Sequence, residues 1–212
     1  MKKLVIFDLD GTLLNTLDSI AFCGNTGLKK FGFEPVDTSV YPNFIGNGAP
    51  VLIEKLYKYV GGDPTRFDDF LKYTLSVYDE YGNKNITVFD GIEDMLSALK
   101  NKGIKCAVLS NKPHNITVDV CKSFFGDSFE CVYGHRQDKP KKPDPTVIFD
   151  ILKETGYKKD ECVYCGDSTV DVETAKNAGI TIFGAAWGFY GKEPFENADA
   201  VLITPQDILK YI

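Results

Sequence analysis

The chain has 212 residues, 43% of them hydrophobic and 25% charged, and a formal net charge of −6. That length buries a sizeable core and holds one α/β domain with a large insertion. The acidic balance argues against a nucleic-acid partner, which selects for a basic field, and no apolar run approaches the roughly 18 residues of a membrane span.

Met1-Lys2-Lys3 leads into Leu4-Val5-Ile6-Phe7 and then Asp8. This apolar run is too short for a signal h-region. It reads as a buried parallel strand that ends in Asp8-Leu9-Asp10-Gly11-Thr12, where Gly11 allows a sharp turn. The next segment, 16–87, breaks the pattern: no strand stands out before Asn85. Helices are expected over Thr16–Phe31, Ala49–Val60 and Pro64–Tyr81, with Gly and Pro in the connections. We expect this segment to form a helical domain inserted into a sheet domain made of 1–15 plus 88–212. Its many aromatic residues are expected to serve as a core and a lid surface.

After the insertion, strands and helices alternate. Ile92, Met95, Leu96 and Leu99 have helical spacing before Gly103. Apolar runs at Lys105–Leu109, Cys131–Tyr133, Glu161–Cys165, Thr181–Phe183 and Ala200–Ile203 read as strands. Val147, Ile148, Ile151 and Leu152 form a helix before Gly156, and Asp171–Ala178 forms one before Gly179. Alternation of this kind predicts an α/β fold, a Rossmann-like parallel sheet.

In open α/β sheets ligands sit beyond the carboxyl ends of the strands, and polar residues collect there. Asp8 and Asp10, two apart in extended chain, point to one side and need a cation or a shared proton between them. Ser110-Asn111-Lys112 follows the Lys105–Leu109 run, and Gly166-Asp167-Ser168 follows Glu161–Cys165, with Asp171 three residues on. Asp167 brings a third carboxylate, and a site rich in carboxylate oxygens suits Mg²⁺. Thr12, Ser110 and Asn111 offer hydroxyl and amide groups, and Lys142 a full charge on the loop Lys142-Pro143-Asp144-Pro145. His114 and His135 lack partners at metal-ligand spacing. The six cysteines are scattered, and the Cys162–Cys165 CxxC pair has no second pair to make a zinc site. They read as reduced core residues, consistent with a cytoplasmic setting.

Four segments together resemble the haloacid dehalogenase-like hydrolase superfamily: Asp8-Leu9-Asp10-Gly11-Thr12, Val108-Leu109-Ser110-Asn111, Lys142-Pro143, and Gly166-Asp167-Ser168 with Asp171. Leu13-Leu14-Asn15-Thr16-Leu17 and Gly166-Asp167-Ser168-Thr169-Val170-Asp171 are similar to the phosphoglycolate-phosphatase-like subgroup, and 16–87 to the helical cap of that group. The resemblance implies a phosphatase with Asp8 as nucleophile and Asp10 as general acid/base. It implies phosphate binding by Thr12, Ser110, Asn111 and Lys142. It places Mg²⁺ on the carboxylates of Asp8 and Asp167 and the Asp10 carbonyl, with Asp171 supporting that shell or ligating through water. Asp10 argues against a dehalogenase, which lacks this second Asp, and against the ATP-pump branch, which has Lys or Thr there. A sugar-phosphate mutase and a nucleotide phosphatase remain alternatives, and so does, less well supported, a non-catalytic phosphometabolite-binding module.

The expected partner is a small phosphorylated metabolite, 2-phosphoglycolate first. Its leaving group would be read by the loop Tyr41–Ala49, with Gly46 and Asn47 as candidate contacts ahead of a helix N-terminus. Hinges are expected near Asn15–Leu17 and Thr87–Gly91.

Overall fold

A computed structural model describes all 212 residues. The chain divides into two compact units, one of Met1–Asn15 with Val88–Ile212, the other Thr16–Thr87. No helix is long and apolar enough to cross a membrane.

In chain order the elements are β1 (Leu4–Phe7), β2 (Leu14–Asn15), α1 (Leu17–Lys30), α2 (Ala49–Tyr59), α3 (Phe67–Tyr81), β3 (Thr87–Val88), α4 (Ile92–Asn101), β4 (Lys105–Pro113), α5 (His114–Phe125), β5 (Cys131–His135), α6 (Thr146–Thr155), β6 (Cys162–Gly166), α7 (Thr169–Ala178), β7 (Thr181–Ala185) and β8 (Ala200–Leu202). Short 3-10 turns at Thr38–Asn43, Pro64–Arg66, Lys159–Glu161, Glu193–Phe195 and Pro205–Lys210 complete the chain.

Six strands form one sheet in the order β5-β4-β1-β6-β7-β8, and its neighbours are parallel throughout. β1 is central, between β4 and β6, so all four of its side chains are buried. That explains its unbroken apolar run: a strand covered on both faces has no use for alternation. One face of the sheet contributes Leu4, Ile6, Ala107, Leu109, Cys162 and Tyr164 to a core shared with Val147, Ile148, Ile151 and Leu152 of α6 and with Val172 and Ala175 of α7. The period of two along the strands meets the 3.6 period of the helices there. Gly156 and Gly179 end α6 and α7 in the left-handed conformation, at φ 75° and 69°.

From β1 the chain builds β4 and β5 on one side, and later β6, β7 and β8 on the other. The order reverses at β1, so the crevice that such sheets offer lies past the ends of β1, β4 and β6. β4 runs on to Pro113, four residues beyond the apolar run, with a register shift against β5 between Leu109 and Pro113. Ser110, Asn111 and Lys112 are therefore buried strand residues rather than an open loop. β6 begins one residue late, because Lys159–Glu161 forms a 3-10 turn, and ends at Gly166. α5 is not among the helices that apolar spacing picks out. Its β-branched residues Ile116, Thr117, Val118 and Val120 weaken the helical signal, and tertiary burial of Ile116, Val120, Cys121 and Phe125 overrides it.

The second unit is built from the helices α1, α2 and α3 with two short 3-10 turns between them. α1 and α3 approach closely: a Cβ on Gly27 would fall 2.2 Å from Thr74 Oγ1, and one on Gly24 2.6 Å from the Tyr41 hydroxyl. Tyr57 stacks on Phe70 at 4.4 Å between ring centroids, and Phe31 meets Phe70 edge-on. These rings are a core, while Phe22 and Tyr59 stand exposed. Gly46 and Asn47 lie in the turn into α2, where Gly46 (φ 113°) and Gly48 (φ 85°, the N-cap) take conformations that favour glycine. All six cysteines are buried free thiols.

Candidate active site

Asp8 follows β1 directly. Its backbone N–H donates to the Cys165 carbonyl at 2.9 Å, continuing the β1–β6 ladder past the strand end. Its Oδ1 accepts from the Leu9 N–H at 2.7 Å and from Lys142 Nζ at 2.9 Å. Asp167 follows β6. Gly11, at φ 84°, passes so close that a Cβ there would lie 2.2 Å from Asp167 Oδ2. Glycine is required at that turn by conformation and by space together.

Asp171 reaches the same place from the first turn of α7. Ser168 and Asp171 form a capping box: Asp171 Oδ2 accepts from the Ser168 N–H at 3.0 Å and its hydroxyl at 2.6 Å. Asp171 Oδ1 accepts from Lys142 Nζ at 2.7 Å. Carboxylate oxygens of Asp8, Asp167 and Asp171 lie within 4.8 Å of one another, all three residues buried.

Lys142 is held from both ends. The Asn111 side chain donates to the Lys142 carbonyl at 3.1 Å and accepts from its N–H at 2.9 Å. At the other end Nζ also donates to the Tyr164 hydroxyl at 3.1 Å. Asn111 thus spends its side-chain amide on the Lys142 backbone, which is what anchors the lysine.

Burial and charge shape the protonation states. Burial is the largest influence on Asp8, and the Asp171 charge adds to it; against the opposing pull of Lys142 they push the Asp8 carboxyl up to about 7. Burial, then Asp171 and Asp8, hold Asp167 well above the usual carboxylate range. Burial alone would lower Lys142, but Asp171 and Asp8 outweigh it, so the ammonium is firmly charged. The cluster therefore carries more carboxylate than one lysine neutralises, and a cation placed among these oxygens would relieve it. The donor set fits a hard cation, because it is all oxygen. Cys165 is buried beside the carboxylates, yet burial and their charge keep its thiol protonated, so it supplies no thiolate. The acidic cluster could thus hold a metal.

Asp10 pairs instead with a second lysine, its Oδ1 3.2 Å from Lys112 Nζ. The Thr12 hydroxyl lies 3.4 Å from Asp167 Oδ1. Ser110 Oγ accepts from the Lys112 N–H at 3.2 Å. Gly46 and Asn47 belong to the helical unit.

Several participants were invisible to strand-end reasoning. Phe189 donates its N–H to Asp167 Oδ2 at 2.9 Å, and Trp187 Nε1–H donates to the Thr12 carbonyl at 2.8 Å. Tyr164, inside the β6 run, braces Lys142 and Asp171 with its hydroxyl. The Asp171 box could have been found from the Ser-x-x-Asp spacing ahead of a helix.

Residues 5–185 match the haloacid dehalogenase-like hydrolase family. A phosphoglycolate phosphatase of Pseudomonas fluorescens is 31% identical over 100% of this chain and 79% of its own length. One of Vibrio cholerae is 30% identical over 93% of this chain and 90% of its own. Among solved structures, a Lactobacillus delbrueckii protein is 27% identical with a TM-score of 0.90, covering 100% of this chain and 99% of that one. A predicted phosphoglycolate phosphatase from Haemophilus somnus is 27% identical at TM-score 0.89, covering 99% and 97%. With a family match over most of its length and the sheet, strand ends and acidic cluster described above, this chain belongs to the haloacid dehalogenase-like hydrolases.

Proposed function

We propose that the protein is a Mg²⁺-dependent phosphatase that hydrolyses a small phosphomonoester through an aspartyl-phosphate on Asp8, with 2-phosphoglycolate as the first candidate substrate. The observation that carries this reading is the convergence of Asp8, Asp167 and Asp171 around one buried lysine, Lys142, 2.9 Å from the Asp8 oxygen. The names of the bacterial relatives support the substrate.

In the first step an Asp8 carboxylate oxygen attacks phosphorus in line with the ester oxygen. The P–O bond to the leaving group breaks, and Asp10, as the carboxylic acid, gives its proton to that oxygen. In the second step a water attacks the phosphorus of the acyl-phosphate and Asp10 takes its proton. The bond between Asp8 and phosphorus breaks, releasing phosphate and restoring the Asp8 carboxylate. Lys142 and the Ser110 hydroxyl hold the phosphoryl oxygens and offset charge as it develops, aided by Thr12, and Asn111 contributes by anchoring Lys142. A Mg²⁺ held by Asp8, Asp167 and the Asp10 carbonyl would neutralise phosphoryl charge. Asp171 supports that shell through Lys142 and Ser168. The unit 16–87 acts as a cap that selects the leaving group, with Gly46 and Asn47 at its reading loop, and a cytoplasmic metabolite pool supplies the substrate.

A phosphate-release screen over phosphorylated metabolites, with Mg²⁺ and with EDTA, tests the proposal. We expect release from 2-phosphoglycolate that EDTA abolishes. Release from none of the compounds, or release that survives exhaustive chelation, would overturn it. Conversion of a hexose 1-phosphate to its 6-phosphate would identify a mutase instead.

A further inference from the structure

Lys112 carries charge at the floor of the site, yet neither the nucleophile nor the metal-ligand set uses it. Its side chain is fully buried, and Nζ lies 3.2 Å from Asp10 Oδ1, whose own side chain is 14% exposed. The backbone around it is fixed from several directions. The Lys112 N–H donates to Ser110 Oγ at 3.2 Å, and the Thr117 hydroxyl is shared between the Pro113 carbonyl at 2.9 Å and the Lys112 carbonyl at 3.2 Å. Gly134 of β5 passes so closely that a Cβ there would lie 2.7 Å from the same carbonyl. Lys112 is held there by the continuation of β4 past Ser110, which turns a residue of unremarkable sequence into a rigid post.

We propose that Lys112 is a positioning residue for Asp10: its ammonium fixes the Asp10 side chain so that the second carboxyl oxygen, Oδ2, faces the ester oxygen and delivers the proton there. A carboxyl group has two oxygens, and one tied by a charge-assisted hydrogen bond leaves the other in a defined direction. Asp10 follows Leu9 in a short loop, so an untethered side chain would sample several rotamers, and proton transfer is steeply sensitive to geometry. The inference rests on the phosphatase reading above. In the step it concerns, the P–O bond to the leaving group breaks as the O–H bond of Asp10 passes its proton to the departing oxygen. The need for that proton depends on the leaving group. An alkoxide must be protonated as it departs, whereas 4-nitrophenoxide departs unaided.

The test compares wild type, Lys112→Met, Lys112→Arg and Asp10→Asn on 2-phosphoglycolate, phenyl phosphate and 4-nitrophenyl phosphate at saturating Mg²⁺. We expect Lys112→Met to lose about 10²-fold in kcat on 2-phosphoglycolate and no more than about threefold on 4-nitrophenyl phosphate, with phenyl phosphate between. Lys112→Arg, which keeps the charge, recovers part of the loss and guards against misfolding of the methionine variant. In the double variant Lys112→Met with Asp10→Asn, the loss is no larger than in Asp10→Asn alone, because both act at one proton transfer. An equal loss across all three leaving groups, or a rise in KM alone, would overturn the positioning role and point to substrate binding. If Asp10→Asn itself shows no dependence on the leaving group, the assignment of Asp10 as general acid falls first. If wild type releases phosphate from none of the three, the phosphatase reading falls.

Discussion

Lys142 Nζ lies 2.7 Å from Asp171 Oδ1, both side chains buried, and the same ammonium reaches Asp8 at 2.9 Å. Asp171 thus joins Lys142, the lysine beside Asp8, to the capping box of α7. The resemblance implies that Asp171 supports a metal shell; within the acidic cluster its bonds go to Lys142, Ser168 and Tyr164. Removing its charge leaves Lys142 with Asp8 as its remaining counter-ion and lets the ammonium settle against Asp8, the proposed nucleophile. We expect Asp171→Asn to lower kcat/KM by about 10- to 100-fold and to weaken competitive inhibition by inorganic phosphate. Steady-state kinetics with phosphate as inhibitor checks both, and unchanged phosphate inhibition would refute the link through Lys142.

Asp8 is held in a place that disfavours its charge, since burial and Asp171 outweigh the pull of Lys142. Asp8→Asn removes that charge with little change of shape. We expect turnover to fall at least about 10⁴-fold while the metal-free protein becomes more stable, by about 2–4 °C in melting temperature for each kcal/mol relieved. Such an exchange of stability for function is common at active sites. Calorimetry with EDTA measures it, and a lower melting temperature in the variant would contradict the account of the site's electrostatics.

Mg²⁺ should stabilise the wild-type protein, because only the folded chain gathers Asp8, Asp167 and Asp171 within 4.8 Å. At a concentration about 100 times the dissociation constant, binding adds about 2.7 kcal/mol, or about 5–10 °C in melting temperature for a chain of this size. EDTA should return the curve to its metal-free position. Dye-based melting over a Mg²⁺ series checks this; a melting temperature that Mg²⁺ leaves unmoved would count against the site.

The thiols give a prediction independent of catalysis. Burial pushes Cys106, Cys121, Cys131 and Cys162 up to about 12. At pH 8 their thiolate fraction is about 10⁻⁴, and the thiolate is the nucleophile. Ellman's reagent should find almost no fast-reacting thiol in the native protein and six in denaturant, the number in the sequence. A rapid native reaction would show that one of them is exposed or activated.

How much of this was readable in the chain follows from the reach of each signal. β1, the helices α4, α6 and α7, and the polar groups at three strand ends are local, written in apolar period and in the residues that end each run. Asp8, Asp10, Ser110 and Asp167 could be singled out that way, whereas Lys142, on the loop between β5 and α6, stood out by its charge beside Pro143 and by the resemblance. The β4 extension was not readable, because Ser110-Asn111-Lys112-Pro113 is polar and ends in proline; only the edge of β5 makes it strand. The Asn111 bonds to Lys142 span 31 residues, and the Tyr164 bond to Leu109 spans 55. Such pairs exist only once the sheet has fixed strand order. The same is true of the Trp187–Phe189 loop, whose value lies in backbone groups that no side-chain pattern announces.

That loop yields the last prediction. Phe189 donates its N–H to Asp167 Oδ2, Trp187 ties down the Thr12 carbonyl, and Gly188 between them has no room for a side chain. A Cβ on Gly188 would lie 2.3 Å from both Asp167 Cβ and the Gly11 carbonyl. The obstacle is backbone on one side and a buried carboxylate on the other, so relief must come from moving the loop itself. Gly188→Ala should therefore pull the Phe189 N–H away from Asp167 and loosen the carboxylate. We expect about 10- to 100-fold weaker Mg²⁺ affinity, the loss typical of a missing outer-shell hydrogen bond to a metal ligand, with the fold retained. Trp187 is the chain's single tryptophan, so its fluorescence reports on this loop during a Mg²⁺ titration. A Gly188→Ala protein that keeps wild-type Mg²⁺ affinity would show that the loop does not hold Asp167 in place.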